Sequence, residues 1–512
     1  MNANKTTKAI VIMIILGMIS KSLGLIRETF IASKYGSGIE TDIFFIAITA
    51  VGLFTSMFTL TLNTTLIPIL SEVENKEGKE AKVKITNNIL NVICVLAIFV
   101  SIIGWFISPY LIEVMANGFN QEQKMLTTTL MRIGIPGLIF SGIVGVYRGF
   151  LQSEGKFSES STSQFAFNFV YIFYLIFFAS IYGIKGLMVA SVLAIASQII
   201  LQLVGLKSTY YKYKFSLDFF DPYFVRMLGL MLPILISVSV NDVNKIVDRA
   251  LASGLNEGSI SALNYSARLN SLVLAIFITA ISTVLFPTLS KLASSEKFSD
   301  LKNTLTSGIS AIIIIILPIT IGTIVLSQPI VSVVFERGAF DYKDTVVTSQ
   351  ALTVYTIGLL GMSIRTLIEN VFYSLHDTKT PMMNGIFTVI FNIIFCLLLV
   401  GPLEHIGLAL ATSIVSTLMS IILFVQLEKK IGKIPSVNLA ICFIKCLLGS
   451  AVMTIFIYYI YYGYLEAFIR NDMTKVLILA IIIILSAIIY ALMLFVLKVK
   501  EVGSLLKMIK KG

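Results

Sequence analysis

Residues 9–36 read AIVIMIILGMISKSLGLIRETFIASKYG, and this stretch decides how the chain is interpreted. Its first half is apolar enough to enter a lipid bilayer, and it lacks the small-residue cleavage site of a signal peptide. The helical pattern then continues without a break through Lys21, Arg27 and Glu28. Each ionised group in the hydrocarbon region costs about 2.5–3.5 kcal/mol even on insertion scales. The charges therefore predict a functional site inside a membrane helix.

The composition extends this interpretation to the whole chain. Of the 512 residues, 56% are hydrophobic and 13% are charged, and the mean hydropathy is +0.91. Apolar stretches of about 20 residues recur along the sequence, which is too long for barrel strands of about 9–11 residues. We therefore predict an all-α polytopic membrane protein with 14 transmembrane helices. In chain order, these spans 1–14 lie near residues 9–33, 42–70, 85–110, 125–151, 159–181, 184–206, 224–252, 259–289, 303–327, 347–375, 381–402, 405–427, 437–463 and 475–497.

The basic residues are distributed unevenly. A formal net charge of +11 is compatible with nucleic-acid binding. With both termini placed in the cytoplasm, however, most of the Lys and Arg residues outside the spans fall on cytoplasmic loops and on the C-terminal tail, as the positive-inside rule describes. The sequence thus predicts a multi-pass membrane protein with cytoplasmic N- and C-termini and without a nucleic-acid partner.

Three pairs of similar segments recur in the same order, which indicates an internal duplication. The pairs are IRETFIASKYG (26–36) with VDRALASGL (247–255), RGFLQSEGKF (148–157) with NVFYSLHDTKTP (370–381), and IKGLMVAS (184–191) with HIGLALAT (405–412). Six spans separate the copies, so the two copies have the same orientation in the membrane. We expect two six-helix lobes around a central cavity, and two additional C-terminal helices. The expected boundaries are an N-lobe of residues 1–222, a C-lobe of 223–430, and helices 13 and 14 with a basic tail in 431–512.

The charges inside the spans follow helix faces. Lys21 and Glu28 are seven residues apart, and Asp242, Lys245 and Arg249 have the spacing i, i+3, i+7, so each set lies on one stripe. In a duplicated bundle, spans 1 and 7 are equivalent, and their stripes would face each other across the cavity. Structural ion pairs and snorkelling side chains are the alternative explanation.

Arg27 is expected to be available for an anion, because it is adjacent to Glu28 and neighbours on a helix do not face each other. Arg27 and Arg268 are the charges that structural pairing explains least well. A guanidinium can hold phosphate with two parallel hydrogen bonds. A cavity with these groups beside apolar helices suits a lipid-linked phosphate better than a small cation.

The chain resembles the MurJ (MviN) family of lipid II flippases, which belongs to the multidrug/oligosaccharidyl-lipid/polysaccharide exporter superfamily. The segments that carry the resemblance are SKSLGLIRETFIASKYGSGIETDIFFIA (20–47), GFLQSEGKFSESSTSQFAFN (149–168), VDRALASGLNEGSISALNYSARL (247–269), VFERGAFDYKDT (334–345) and FYSLHDTKTP (372–381). The resemblance implies 14 helices, a cationic cavity, and a groove near spans 13 and 14 for a polyprenyl tail. It also implies a location in the bacterial plasma membrane. There the family transports the undecaprenyl-pyrophosphate-linked peptidoglycan precursor from the inner to the outer leaflet, and alternating access is the expected mechanism.

The resemblance also implies site residues. Arg27, Asp42 and Arg268 fall on functional positions of the family, and Lys21 stands where the family commonly has Arg. Span 2 departs from the family, because AVGLFTSMFTLTLNTT (50–65) has no charge where a further Arg is usual. Taken with the stripe on span 7, the expected substrate-binding residues are Arg27, Arg268, Lys21, Asp42, Arg249 and Lys245.

The chain is not expected to be an enzyme, and no nucleotide-binding loop is present in the sequence. The expected energy source is a sodium or proton gradient, the membrane potential or the substrate's own gradient, and no other cofactor is expected. Some family members have a sodium site between spans 7 and 11, for which Asp242 and Asn392 are the candidate ligands here.

The sequence leaves other functions open. A flippase for another polyprenyl-linked saccharide would have a similar sequence. An ion-coupled drug exporter of the same superfamily would favour acidic rather than basic residues in its cavity, and a membrane scaffold gives no reason for buried charge. The expected partners are a lipid-linked oligosaccharide and membrane lipid, and the expected oligomeric state is a monomer.

Overall fold

The regular structure of this protein is helical. The structure is a computed structural model that describes residues 3–465, 472–499 and 501–503, and these residues contain no β-strand. The first nine α-helices are α1 Ala3–Tyr35, α2 Ile39–Met115, α3 Gln121–Gly134, α4 Gly137–Ser153, α5 Phe157–Phe177, α6 Ala179–Lys207, α7 Pro222–Ser253, α8 Ser259–Val273 and α9 Thr279–Ser294. The others are α10 Phe298–Val325, α11 Ser327–Phe335, α12 Tyr342–Ile357, α13 Leu359–Ser374, α14 Lys379–Ile431, α15 Ser436–Ile457 and α16 Asp472–Val496. Short π-helical segments follow α8 and α15, at Leu274–Ile278 and Tyr458–Leu465. The predicted all-α membrane fold is confirmed.

The two longest helices each contain a break. In α2, which has 77 residues, Gly78 has a φ of 85°, and in α14, which has 53 residues, Glu404 has a φ of 48°. Glycine adopts a positive φ at little cost, whereas Glu404 is strained in this region. Each break lies between two of the spans expected from the sequence.

The number of membrane crossings remains a prediction. Among the described residues, eight helical segments are long and apolar enough to cross a membrane, or nine if α12 and α13 form one span bent by 42°. The apolar segment Gln121–Ser153 combines α3 and α4. At the end of α3, a Cβ on Gly134 would lie 2.8 Å from Val51 Cγ2, so the absence of a side chain permits close packing against α2.

The chain divides into two compact units, Met1–Ser261 and Ala262–Gly512. In the first unit, α2 packs against α3, α4 and α7, and α5 packs between α1 and α6. Glycines on α4 permit the close contact with α2, because a Cβ on Gly145 or Gly149 would lie 2.9 or 2.6 Å from leucine side chains of α2. The lobe boundaries expected from the sequence remain predictions.

The second unit has an apolar core of its own. The helices α10, α13, α15 and α16 contribute fully buried side chains such as Leu305, Leu367, Cys446 and Ile482. Tyr490 extends from α16 into this core and donates a hydrogen bond from its hydroxyl to the carbonyl of Ile314 at 2.9 Å. The core thus includes α15 and α16, which correspond to the two additional C-terminal helices expected from the sequence.

Lys82 links three segments of the first unit, each of which joins one predicted span to the next. Its side chain is fully buried, and its ammonium forms salt bridges with Glu74 at 2.7 Å and with Glu154. Tyr210 donates to Glu154 Oε1 at 2.6 Å, and the ring of Phe150 lies 5.3 Å from Lys82 Nζ. Burial raises the pKa of Glu154, but hydrogen bonds from Lys82 and Tyr210 outweigh burial and lower it. The network therefore pairs charged groups that would destabilise the fold if each were buried alone.

Asp377 stabilises the turn between α13 and α14 through hydrogen bonds to its carboxylate. Its carboxylate accepts hydrogen bonds from Lys430 Nζ and from the backbone and hydroxyl of Thr380. Burial raises the pKa of Asp377, but these hydrogen bonds outweigh burial and lower it to about 2. The segment FYSLHDTKTP (372–381) therefore contains a turn that these hydrogen bonds stabilise.

We expect Asp377→Asn to lower the melting temperature of the detergent-purified protein at pH 7. Because the pKa is depressed in the folded state, the stabilisation is present above the unfolded value of about 3.9. It is lost as the pH falls through about 2. Melting curves at pH 7, 4 and 2.5 should show a difference that shrinks toward the lowest pH. Identical curves at pH 7 would contradict the stabilising role.

Candidate functional site

Arg27 forms an ion pair with its neighbour, which corrects the expectation from the sequence. Arg27 Nη2 lies 2.6 Å from Glu28 Oε1, and the two side chains are 13% and 3% exposed. Their Cβ atoms point in different directions, but the long guanidinium side chain bends around the helix to reach the carboxylate. Arg27 is therefore neutralised in this conformation, rather than left unpaired.

Two aromatic rings of α5 hold the same guanidinium. Arg27 Cζ lies 5.0 Å from the ring centre of Tyr171 and 5.5 Å from that of Phe167. Cation–π contacts of this kind are worth about 2 kcal/mol when desolvated. Among the described residues, Arg27 Nε is buried without a hydrogen-bond partner. The position of the guanidinium is thus fixed, and part of its donor capacity remains for a ligand.

Asp42 holds the beginning of α8. Its carboxylate accepts hydrogen bonds at 2.7 Å from the backbone N–H groups of Gly258 and Ser261, and a third at 2.5 Å from the hydroxyl of Ser261. Orphan N–H groups at a helix N-terminus favour a negative charge. Asp42 lies in the first turn of α2, so its carboxylate joins two segments more than 200 residues apart.

Further contacts surround Asp42. We call the whole set the clasp, and define it as the contacts that residues 36–42 and 117–118 make with residues 253–261. Ser37 Oγ donates to the carbonyl of Gly258 at 3.0 Å, and the Gly118 N–H donates to Ser253 Oγ at 3.1 Å. Gly258 has a φ of +88°, and a Cβ there would lie 2.3 Å from the Ser37 carbonyl oxygen. The clasp therefore requires glycine at this position.

We expect Asp42→Asn to open the clasp, because the charge that holds the α8 N-terminus is lost. Hydrogen bonds to charged groups contribute about 1.5–3 kcal/mol, which corresponds to roughly a tenfold or larger shift in population. The measurement is maleimide labelling of Ser259→Cys, a position that is 3% exposed, after replacement of the four native cysteines. A labelling rate unchanged by Asp42→Asn would contradict the proposed effect, and Glu40→Gln is the control.

The charged stripe on α7 consists largely of paired residues. Lys245 Nζ lies 2.7 Å from Asp242 Oδ1, and Ser56 donates to Asp242 Oδ2 at 3.1 Å. Arg249 is close enough to Asp42 for their charges to interact. Lys245 remains 51% exposed in spite of its ion pair. The stripe expected from the sequence therefore exists, and one end of it extends to the clasp.

Lys21 and Arg268 are both exposed side chains on helices of the membrane fold. Lys21 lies on α1, six residues before Arg27, and Arg268 is the tenth of the 15 residues of α8. An exposed charge in mid-helix is costly against hydrocarbon, so both positions favour contact with water or a polar ligand. Binding of a substrate by these residues remains a prediction.

The cation site expected from the sequence also remains a prediction. The Asp242 oxygens accept hydrogen bonds from Ser56 and Lys245, and Asn392 Nδ2 lies 3.6 Å from Cys396 Sγ. In the described part of the chain, no group of three or more His, Cys, Asp or Glu side chains is arranged to hold a metal ion.

An apolar groove lies in the second unit. It has a volume of about 430 Å³ and is formed by side chains of α10, α13, α14 and α15, among them Ile309, Ile364, Phe424 and Phe443. Ser420 is the one polar residue of its lining. Such a surface can hold a hydrocarbon chain but offers nothing for a charged group.

Comparisons with known proteins agree with this architecture. A model of the family described as "MurJ: Lipid II flippase MurJ" matches residues 31–482. The probable lipid II flippase MurJ of Rickettsia prowazekii is 31% identical over 460 residues, which cover 89% of this chain and 90% of that protein. A solved structure titled "Lipid II flippase MurJ, inward closed conformation" is similar, with a TM-score of 0.77 and 26% identity over 94% of this chain and 98% of that one. An inward-facing multidrug MATE transporter shares the fold, with a TM-score of 0.69 and 13% identity over 82% of this chain and 98% of that one.

Proposed function

This chain belongs to the MurJ family, and on that premise we propose that it moves lipid II from the inner to the outer leaflet of the bacterial plasma membrane. The observation that carries the proposal is the family match over residues 31–482. The exposed and buried cations of α1 and α8 agree with it, because the lipid-linked precursor has a pyrophosphate that such groups can bind.

The pyrophosphate would first meet Lys21 and then compete with Glu28 for Arg27. A guanidinium has five N–H donors, and Glu28 accepts one of them at 2.6 Å. The rings of Phe167 and Tyr171 keep Arg27 in place whether Glu28 or a phosphate is bound. Arg27 thus acts as a positioned anion receptor that is neutralised when the substrate is absent.

The clasp would control release on the outer side. We place the N-terminus in the cytoplasm, so that α1 would end at the outer face and the contacts of Asp42 would hold that end of the first unit. Alternating access then requires these hydrogen bonds to break after the substrate has bound. The apolar groove against α15 would hold part of the polyprenyl tail during this change.

We also propose that an ion gradient or the membrane potential drives the cycle. A positively charged binding site that moves across the membrane would be sensitive to the potential by about 2.3 kcal/mol per charge per 100 mV. A second candidate function, transport of another polyprenyl-linked saccharide, would use the same cations, because those residues recognise the pyrophosphate and not the sugar.

The test is complementation of a bacterial strain depleted of its own lipid II flippase. The chain should restore growth, and depletion of this protein in its own host should make lipid II accumulate in the inner leaflet. Accumulation of a different polyprenyl-linked intermediate, without lipid II, would instead favour the second candidate.

A further inference from the structure

Arg148 is a charged residue for which the proposed function has no role. It lies on α4, five residues before the helix ends at Ser153, where α4 packs against α6. At 1.5 Å per residue, this is about 8 Å from the end of the helix. Its side chain is only partly exposed, so the charge is largely removed from solvent.

The guanidinium of Arg148 has few acceptors. Nη2 donates to Gln198 Oε1 at 3.3 Å, which is a long hydrogen bond, and Nε is buried without a partner among the described residues. No acidic side chain in the described part of the chain pairs with it. Arg365, by contrast, pairs with Glu369 at 2.8 Å and donates to Thr388. A cation that is largely removed from solvent is destabilising without an anion, so Arg148 favours an anion from outside the chain.

Gln198 provides a second group for such an anion. It is 6% exposed, and its carbonyl oxygen accepts the bond from Arg148. In the described structure its amide nitrogen makes no hydrogen bond, so two N–H donors remain next to the guanidinium.

We propose that Arg148 and Gln198 form a second phosphate-binding site, separate from Arg27. An arginine fork and an amide donor match the acceptor oxygens of a phosphate monoester or diester. The phosphate is that of an anionic phospholipid or a free phosphate ion, and the same two residues would bind either. The proposal does not depend on lipid II, because Arg148 is not among the residues that we assign to the transport site.

The experiment uses the full-length protein with Arg27→Ala as the background, which removes the main anion receptor. Native mass spectrometry after addition of phosphatidylglycerol measures lipid retention, and thermal stabilisation by inorganic phosphate measures binding of the free ion. We expect Arg148→Gln to reduce one of these signals at least about tenfold. Arg226→Gln is the control, because it removes an exposed charge that pairs with Glu72.

Two further variants keep the proposal testable if Arg148→Gln does not fold. Arg148→Lys retains the charge without the fork and should bind phosphate less tightly, and Gln198→Leu should do the same while leaving Arg148 unchanged. Loss of lipid retention alone identifies a phospholipid as the ligand, and loss of stabilisation by inorganic phosphate identifies the free ion. Equal signals in all variants, or no signal in the background protein, would overturn the proposal and leave water as the partner of Arg148.

Discussion

Arg27→Ala is expected to abolish the rescue of a flippase-depleted strain although the protein still inserts into the membrane. The variant removes the guanidinium that Phe167 and Tyr171 hold at the α1–α5 contact. Charge-assisted hydrogen bonds contribute about 1.5–3 kcal/mol each, so the affinity for the pyrophosphate should fall about 10- to 100-fold. Growth after depletion and binding of purified lipid II are the two measurements. Arg268→Ala should have the same direction of effect.

The matched variant is Glu28→Gln, which tests whether the ion pair or the anion receptor matters. If Arg27 serves only as a structural partner of Glu28, loss of either charge should impair growth similarly. If Arg27 binds the pyrophosphate, Glu28→Gln removes a competitor and should support growth with equal or higher affinity. Full rescue by Arg27→Ala and Arg268→Ala together would exclude the assigned site.

Much of the fold follows from the sequence, because hydrophobic length and charge placement depend on local chemistry. The helical interpretation of residues 9–36 and the grouping of charges on α1 and α7 agree with the structure. One pair of contacts agrees with the expected duplication, which remains a prediction. The turn between α4 and α5 contains Glu154 and the turn between α13 and α14 contains Asp377, 223 residues later, and each carboxylate accepts a hydrogen bond from a lysine.

The candidate site is harder to predict, because its decisive partners are not side chains with a recognisable spacing. Asp42 is bound by backbone N–H groups of Gly258 and Ser261, and no pattern of residue types reveals such a contact. The pairing of Arg27 with Glu28 depends on side-chain flexibility, which helical geometry alone does not describe. The aromatic residues on α5 have the ordinary appearance of a membrane helix until their distance from Arg27 is known.

Lys82→Met is expected to cause the largest loss of stability among single variants of the connecting segments. Lys82 is fully buried between Glu74 and Glu154, whose side chains are 30% and 15% exposed. Removing one partner of a fully buried ion pair costs about 3–5 kcal/mol, and the partial exposure of Glu74 and Glu154 places the expected loss at the lower end of that range. Thermal denaturation of the detergent-purified protein, with monodispersity by size exclusion, measures the effect. Lys84→Met, on an exposed side chain of the same helix, should melt like the parent protein.

A double variant separates loss of the charge pair from loss of packing. In Lys82→Met with Glu154→Gln, the carboxylate that is left unpaired is neutral, and Glu74 can turn toward water because it is partly exposed. The double variant should therefore be more stable than Lys82→Met alone, with a coupling of about 0.5–3 kcal/mol. Additive losses would mean that the lysine stem, rather than its charge, holds the three segments together. Because none of these residues contacts Arg27 or belongs to the clasp, the double variant should also retain growth in the depleted strain.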